Sequence, residues 1–246
     1  MKSTERHRLK ENEFASSVQR ARALIDARRR DMTAIAIVLV AAILLAGGYG
    51  WWRHARDSKA NTMLAAALAV AEAPVVAPTP PAPGSHIPVQ QPGTFQTEEA
   101  KLEAALPKFL EVADKYPNTD AGIAARYRAA GILASLGRLP EAEQRFQEVI
   151  EKAGSRVYGR TARLGLAQVQ IAEGKYDSAI KILQDLSTDS KAEIPVDAVL
   201  MELGRAYMKA GKKNEAAHAF TRVVEEFPQS LYAADARREM EEAKKS

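Results

Sequence analysis

One spacing, 37 residues, links four successive positions along this chain and constrains its fold more than any other feature. Ala105, Ala142, Ala179 and Ala216 fall on it, as do Phe109, Phe146, Leu183 and Phe220, and Val112, Val149, Leu186 and Val223. Gly137, Gly174 and Gly211 keep the same period. In each unit the alanine, the bulky residue four later and the apolar residue three beyond that share one face of an α-helix. The small side chain admits a neighbouring helix and the larger ones fill the gap, so Phe109, Phe146 and Phe220 are expected in the core. A unit of this length cannot bury its apolar face alone and stacks on copies of itself, which predicts an all-α fold built as a helical solenoid.

Three units, residues 125–150, 162–186 and 200–224, carry a full helix–turn–helix pattern. Each glycine sits where a first helix should end in a left-handed cap. Pro140 opens a second helix, where a missing N–H costs nothing. Tyr116-Pro117 and Phe227-Pro228 should close second helices. The third unit runs Leu203-Gly204, Tyr207, Gly211, Ala216, Phe220, Val223, Pro228, and this pattern resembles a tetratricopeptide repeat. The usual period of that repeat is about 34 residues, so longer loops are expected here. The opening unit is irregular. Its second helix, residues 97–115, contains Pro107, which should kink it. Its first helix would have to be 57–73, recruited across a Pro-rich insertion. A terminal helix over 230–244, polar on one face, is expected to cover the last repeat.

Met32 to Trp52 contains no charged residue. As a helix it spans roughly 30 Å, the thickness of a bilayer core. Its apolar run is longer than the ~7–15 residues of a cleavable signal core. Nine Lys/Arg and five Asp/Glu precede it, with Arg28-Arg29-Arg30 adjacent. The positive-inside rule therefore predicts a cytoplasmic N-terminus and a large domain outside, and Tyr49, Trp51 and Trp52 suit the outer headgroup layer. Within the span, Ala42, Ala46 and Gly50 form a small-residue row against which another membrane helix could pack. Phe14, Val18, Ala21 and Ile25 predict an amphipathic helix over 13–30.

Seven prolines between 74 and 92 exclude helix and central strand, and predict a semi-extended spacer reaching about 50–60 Å. The expected organisation is a cytoplasmic basic tail over 1–31, a transmembrane helix over 32–52 and a membrane-proximal helix over 53–73. A Pro-rich linker over 74–96 follows, then the repeat domain with its capping helix over 97–246.

The formal charge of +4 lies entirely in residues 1–31, because the rest of the chain holds 26 basic and 26 acidic residues. A balanced main domain is not a phosphate-binding surface, so no nucleic-acid partner is expected. The absence of cysteine excludes disulfides, thiolate metal sites and lipid attachment at Cys. The four histidines, His7, His54, His86 and His218, are scattered, with no pair at metal-ligand spacing. No phosphate loop or nucleophile elbow is present. No enzyme activity, metal, cofactor or small-molecule substrate is expected.

The basic tail, the span ending in Gly50-Trp51-Trp52-Arg53, the Ala-rich helix and the weakly matched repeats together resemble a bacterial family. It comprises ancillary SecYEG translocon subunits, whose repeat domain is shared with cell-division coordinators. The resemblance covers most of the chain except the Pro-rich insertion. It implies an inner-membrane protein with a periplasmic repeat domain, whose partners are translocon subunits, periplasmic chaperones or exported clients. A structural scaffold in cell division or envelope assembly is the alternative. In tetratricopeptide arrays the first helix of each unit lines the groove. With the capping glycines as register, the groove row becomes Tyr127, Gly131 and Ala134, then Leu164, Gln168 and Ile171, then Met201, Arg205 and Met208. That row is mostly apolar and would suit an apolar or unfolded segment.

Overall fold

The computed structural model describes residues 29–77, 91–154, 156–189 and 194–245. Among them are nine helices and no β-strand. The amphipathic helix expected over 13–30 falls almost wholly outside the described residues. By its internal contacts the chain divides into two units, Met1–Ala55 and Arg56–Ser246.

In the first unit, helix α1 (Arg29–Ala71) carries the uncharged run. Ile35, Ile37, Val38, Leu39, Ile43, Leu44 and Leu45 are all exposed. Tyr49 and Trp52 rings lie 6.0 Å apart where the uncharged run ends, midway along α1. Residues Thr33–Ala71 form a helix long and apolar enough to cross a membrane, with a mean hydropathy of 2.2 in its most apolar window. The sequence places a span over 32–52 with a membrane-proximal helix continuing outward from it over 53–73, and one helix, Arg29–Ala71, covers this stretch. Residues 53–71 are Ala-rich and hold neither proline nor glycine, so nothing in them ends the helix.

The second unit takes up the end of α1 and continues with α2 (Glu98–Lys115), α3 (Asp120–Ser135), α4 (Leu139–Ala153) and α5 (Val157–Ala172). It closes with α6 (Tyr176–Thr188), α7 (Val196–Lys209), α8 (Lys213–Glu226) and α9 (Ala233–Lys245). Helices α3–α4, α5–α6 and α7–α8 are the three complete pairs. Each first helix ends as the glycines require: Gly137, Gly174 and Gly211 have φ of 73°, 77° and 75°. The residue after each glycine donates its N–H back across the cap, Arg138 to Leu133 O, Lys175 to Gln170 O and Lys212 to Tyr207 O, at 2.8–2.9 Å. These are Schellman closures, which satisfy carbonyls the helix end leaves free. Pro107 lies inside α2, which continues through it. Helices α2 and α3 start on threonine caps, Thr97 accepting from Ala100 N–H and Thr119 from Gly122 N–H.

Phe109, Phe146 and Phe220 are buried in the core. A Cβ on Gly204 would lie 2.4 Å from the Phe220 ring, so the glycine of the Leu-Gly pair is the gap into which the aromatic packs. The N-terminal repeats also bury a charge. Arg126, 4% exposed, donates from Nη2 to Ala113 O at 2.9 Å and places Nε 2.8 Å from Glu148 Oε2. One side chain thereby ties α3 to both α2 and α4.

The core of the second unit takes up residues of α1 that precede the Pro-rich segment. Ala60 and Ala67 are fully buried in the same core cluster as Phe109 and Leu133, so the core already begins before the prolines. The two stems of the segment then meet. Val76 N–H donates to Phe95 O at 2.8 Å and Phe95 N–H to Pro74 O at 3.0 Å, forming a parallel bridge between Val75 and Phe95. The described flanks of residues 78–90 therefore meet at one place.

Candidate protein-binding groove

The first helices of the first two complete pairs enclose a groove of ≈ 590 Å³. Its walls come from the end of α1 (Leu68, Ala71), α2 (Leu102, Phe109), α3 (Tyr127, Gly131, Ala134) and α5 (Leu164, Gly165, Gln168, Val169), with Phe146 of α4 behind them. Tyr127 is the fixed part of this wall. Its ring meets Phe146 edge-on at 5.9 Å and Tyr158 at 5.8 Å, an arrangement that holds an aromatic surface in one orientation. Phe146 in turn packs against Gly165, where an added Cβ would lie 2.5 Å from the ring.

Five positions of the row read from the capping glycines, Tyr127, Gly131, Ala134, Leu164 and Gln168, line this one groove. Four others are elsewhere. Met201 is 1% exposed and belongs to the same core cluster as Ala236 and Ala243 of α9. Ile171 is 8% exposed and joins Ala179 and Ile180 in the core. These two are therefore corrected from groove to core. Met208 is half-buried against that same cluster. Arg205 is engaged within the chain, donating from Nε and Nη2 to Glu239 Oε1 at 3.1 and 2.8 Å. That hydrogen bond raises the Arg205 pKa above its ordinary value, while partial burial opposes it. The physical reason is α9. It begins 37 residues after α7 and so stands where the first helix of a fourth pair would stand, against the α7 face that would otherwise be open.

A second periodic set, absent from the apolar pattern, is charged. Arg138, Lys175 and Lys212 follow the three capping glycines. Lys175 Nζ lies 2.6 Å from Glu143 in the preceding second helix, and Lys212 Nζ 2.6 Å from Asp177 in the preceding one. The hydrogen bond from Lys175, with one from Gln170, holds the Glu143 carboxyl below the usual carboxylate range. Lys175 and Lys212 thereby bridge neighbouring units, whereas Arg138 pairs with Glu141 of its own unit at 2.6 Å. Ala42, Ala46 and Gly50 lie on the exposed part of α1, and an added Cβ at Gly50 would meet nothing within 4 Å. Among the described residues no group of three or more His, Asp or Glu could hold a metal ion.

The sequence profile of the tetratricopeptide repeat-like domain matches residues 29–239. The chain belongs to this family. The match starts at the first residue of α1, so the family's own extent includes the apolar helix. Two solved arrays of nearly identical tetratricopeptide-like repeats, assigned to a Podosopora anserina kinesin light chain, are similar in fold. One, a point variant with methionine in place of a glutamine, gives a TM-score of 0.52 at 19% identity, over 59% of this chain and 78% of that one. The other gives 0.51 at 18% identity, over 59% and 79%. At such identity the likeness is one of fold alone. None of the curated proteins matches the chain. Tetratricopeptide-type repeats are in general protein–protein interaction scaffolds, and the fold is typically non-catalytic.

Proposed function

We propose that this protein is a membrane-anchored adaptor that binds other polypeptides through the groove between α3 and α5. On this reading, α1 crosses the bacterial inner membrane with the basic tail in the cytoplasm and the repeats in the periplasm. The partners are subunits of the Sec translocon, periplasmic folding factors or the exported chains they handle. The observation that carries the reading is the groove itself: an aromatic and aliphatic trough of ≈ 590 Å³ on a repeat family whose members bind protein. The resemblance of the tail, span and repeats to ancillary translocon subunits supports the choice of partner. Anchoring raises the effective concentration of groove over client, so weak contacts per site suffice.

In-cell photo-crosslinking from Leu164 and Gln168, with mass spectrometry of the adducts, tests the proposal. Adducts to translocon subunits, folding factors or many exported chains are expected. A single dominant adduct to a division or envelope-assembly protein would replace the export role with a structural one. Adducts confined to this chain would overturn the groove as a binding surface.

A further inference from the structure

Outside the uncharged run, the described residues leave five large apolar side chains exposed: Val75, Val157, Tyr158, Leu231 and Tyr232. Four of the five form two neighbouring pairs, and the pairs lie two repeat periods apart. Val157 and Tyr158 begin α5, and Leu231 and Tyr232 immediately precede α9. Leu231 is 96% exposed, so the fold gains nothing from a leucine there. The counterpart of Val157 and Leu231 in the intervening unit, Ile194, is buried in the core. A single exposed apolar residue needs no explanation, whereas a pair repeated on one edge does.

Contacts between units put both pairs on the same edge of the array. Arg156 Nη1 lies 2.9 Å from Asp120 Oδ1, joining the starts of α3 and α5. Arg160 Nε lies 3.6 Å from Asp189 Oδ2, just past the end of α6. Ser230 Oγ donates to Asp197 Oδ2 at 2.5 Å, joining the start of α7 to the turn before α9. This edge begins where the chain enters the second unit. There Ser58, Lys59, Thr62 and Met63 of α1 share a cleft of ≈ 320 Å³ with Lys115 and Tyr116 at the end of α2. Tyr116 O in turn accepts from the Thr119 hydroxyl that caps α3. Arg56, the first residue of this unit, follows Trp52 by four residues. Chain of that length reaches at most about 14 Å, whatever angle the two units adopt.

We propose that this edge rests on the bilayer surface, with Val157 and Leu231 inserted among the lipid headgroups and the Tyr158 and Tyr232 rings at headgroup level. This rests on the reading of α1 as a transmembrane anchor and adds a second, peripheral contact. Tyrosine suits such a place, because its ring is apolar and its hydroxyl reaches water. Arg156 and Arg160 are paired with Asp120 and Asp189, so the contact draws on apolar insertion and not on anionic lipid. The anchor supplies the effective concentration that lets so small an insertion hold.

The chain has no cysteine, so single-cysteine variants take one label each. The test uses the full chain in nanodiscs, one chain per disc, with an NBD fluorophore at Leu231→Cys or Val157→Cys and doxyl-labelled lipid as quencher. Leu44→Cys, in the uncharged run, reports the anchor. Asn214→Cys, in the first turn of α8 and about 20 Å of helix from its end, is the reference in water. Quenching at Leu231 and Val157 should be about threefold that at Asn214, with or without anionic lipid. L231D, with its melting temperature unchanged, should bring the Val157 label towards the Asn214 level. Quenching at Leu44 but not at Leu231 or Val157, or a Val157 label indifferent to L231D, overturns the edge contact and leaves the anchor standing. No quenching at Leu44 overturns both. Shielding of Leu231 that appears only with several chains per disc would assign the edge to a second copy and overturn the proposal.

Discussion

The two ends of the repeat array are built on the same 37-residue unit and finish in opposite ways. At α3 the groove-facing position is Gly131 with open space above it; at α7 the equivalent is Arg205, bonded to Glu239 of α9. At α3 and α5, Tyr127 and Leu164 are half-buried and line a groove; at α7, the equivalent Met201 is core. The difference teaches that a repeat specifies which face is apolar, while the next element decides whether that face is a surface or an interior. A solenoid must end somewhere, and a polar terminal helix covers the apolar face that no further repeat will bury.

The largest expected effect separates packing from binding. Phe146→Ala and Phe220→Ala should each cost about 3–5 kcal/mol by urea or thermal unfolding, because each empties a buried aromatic site. Only Phe146→Ala should also change crosslinking from Leu164, since Phe146 alone of the two backs the groove. Equal crosslinking changes in both variants would erase the distinction between the two ends.

Next is Glu148→Ala. It leaves the Arg126 guanidinium buried without its closest carboxylate, and the loss should be about 3 kcal/mol in the same unfolding measurement. Arg205→Ala removes a partly exposed ion pair and should cost roughly 0.5–1 kcal/mol. Its more informative readout is a crosslinker at Met208, which should gain adducts if α9 is what closes that end.

The smallest effect is in acid. Glu143 has its pKa lowered in the folded chain by the hydrogen bond from Lys175. Between the folded and unfolded pKa the unfolded chain holds more protons, so the pair's contribution is fully present above the ordinary carboxylate range. It is lost as the pH falls through the lowered value. Glu143→Gln should therefore flatten the fall in stability on acidification below the ordinary carboxylate range, by a small amount because Lys175 is exposed to solvent. An unchanged acid limb would mean that Lys175 does not couple the two units.

Much of this architecture is legible before any coordinates. Helix ends follow from Gly137, Gly174 and Gly211, and the buried faces from the Ala–aromatic–apolar triplets, because both depend on backbone conformation and local spacing alone. The groove list is legible only in part. Tyr127, Gly131, Ala134, Leu164 and Gln168 lie together, but the third helix of the row carries the same register into a covered environment. Ile171 belongs to the last turn of α5, where the helix leans on its own partner. Lys175 and Lys212 are legible too, as basic residues that recur after the caps at the period the apolar positions keep. Their acidic partners are not, because a charge repeat does not say which carboxylate lies across the gap.

By itself, the sequence determined the class of fold, the unit length, the caps, the apolar run long enough to cross a bilayer and the absence of any charge bias in the repeats. These are properties of one unit, or of composition, and need no knowledge of what lies across space. Tertiary structure alone decided the meeting of Val75 with Phe95 and the reach of the groove. The stems at Val75 and Phe95 pair, and Ala60 and Ala67 are buried in one core cluster with Phe109 of α2, a contact between residues far apart in sequence. Whether a repeated face is exposed depends in the same way on the neighbour that arrives against it, and no single unit encodes its neighbour.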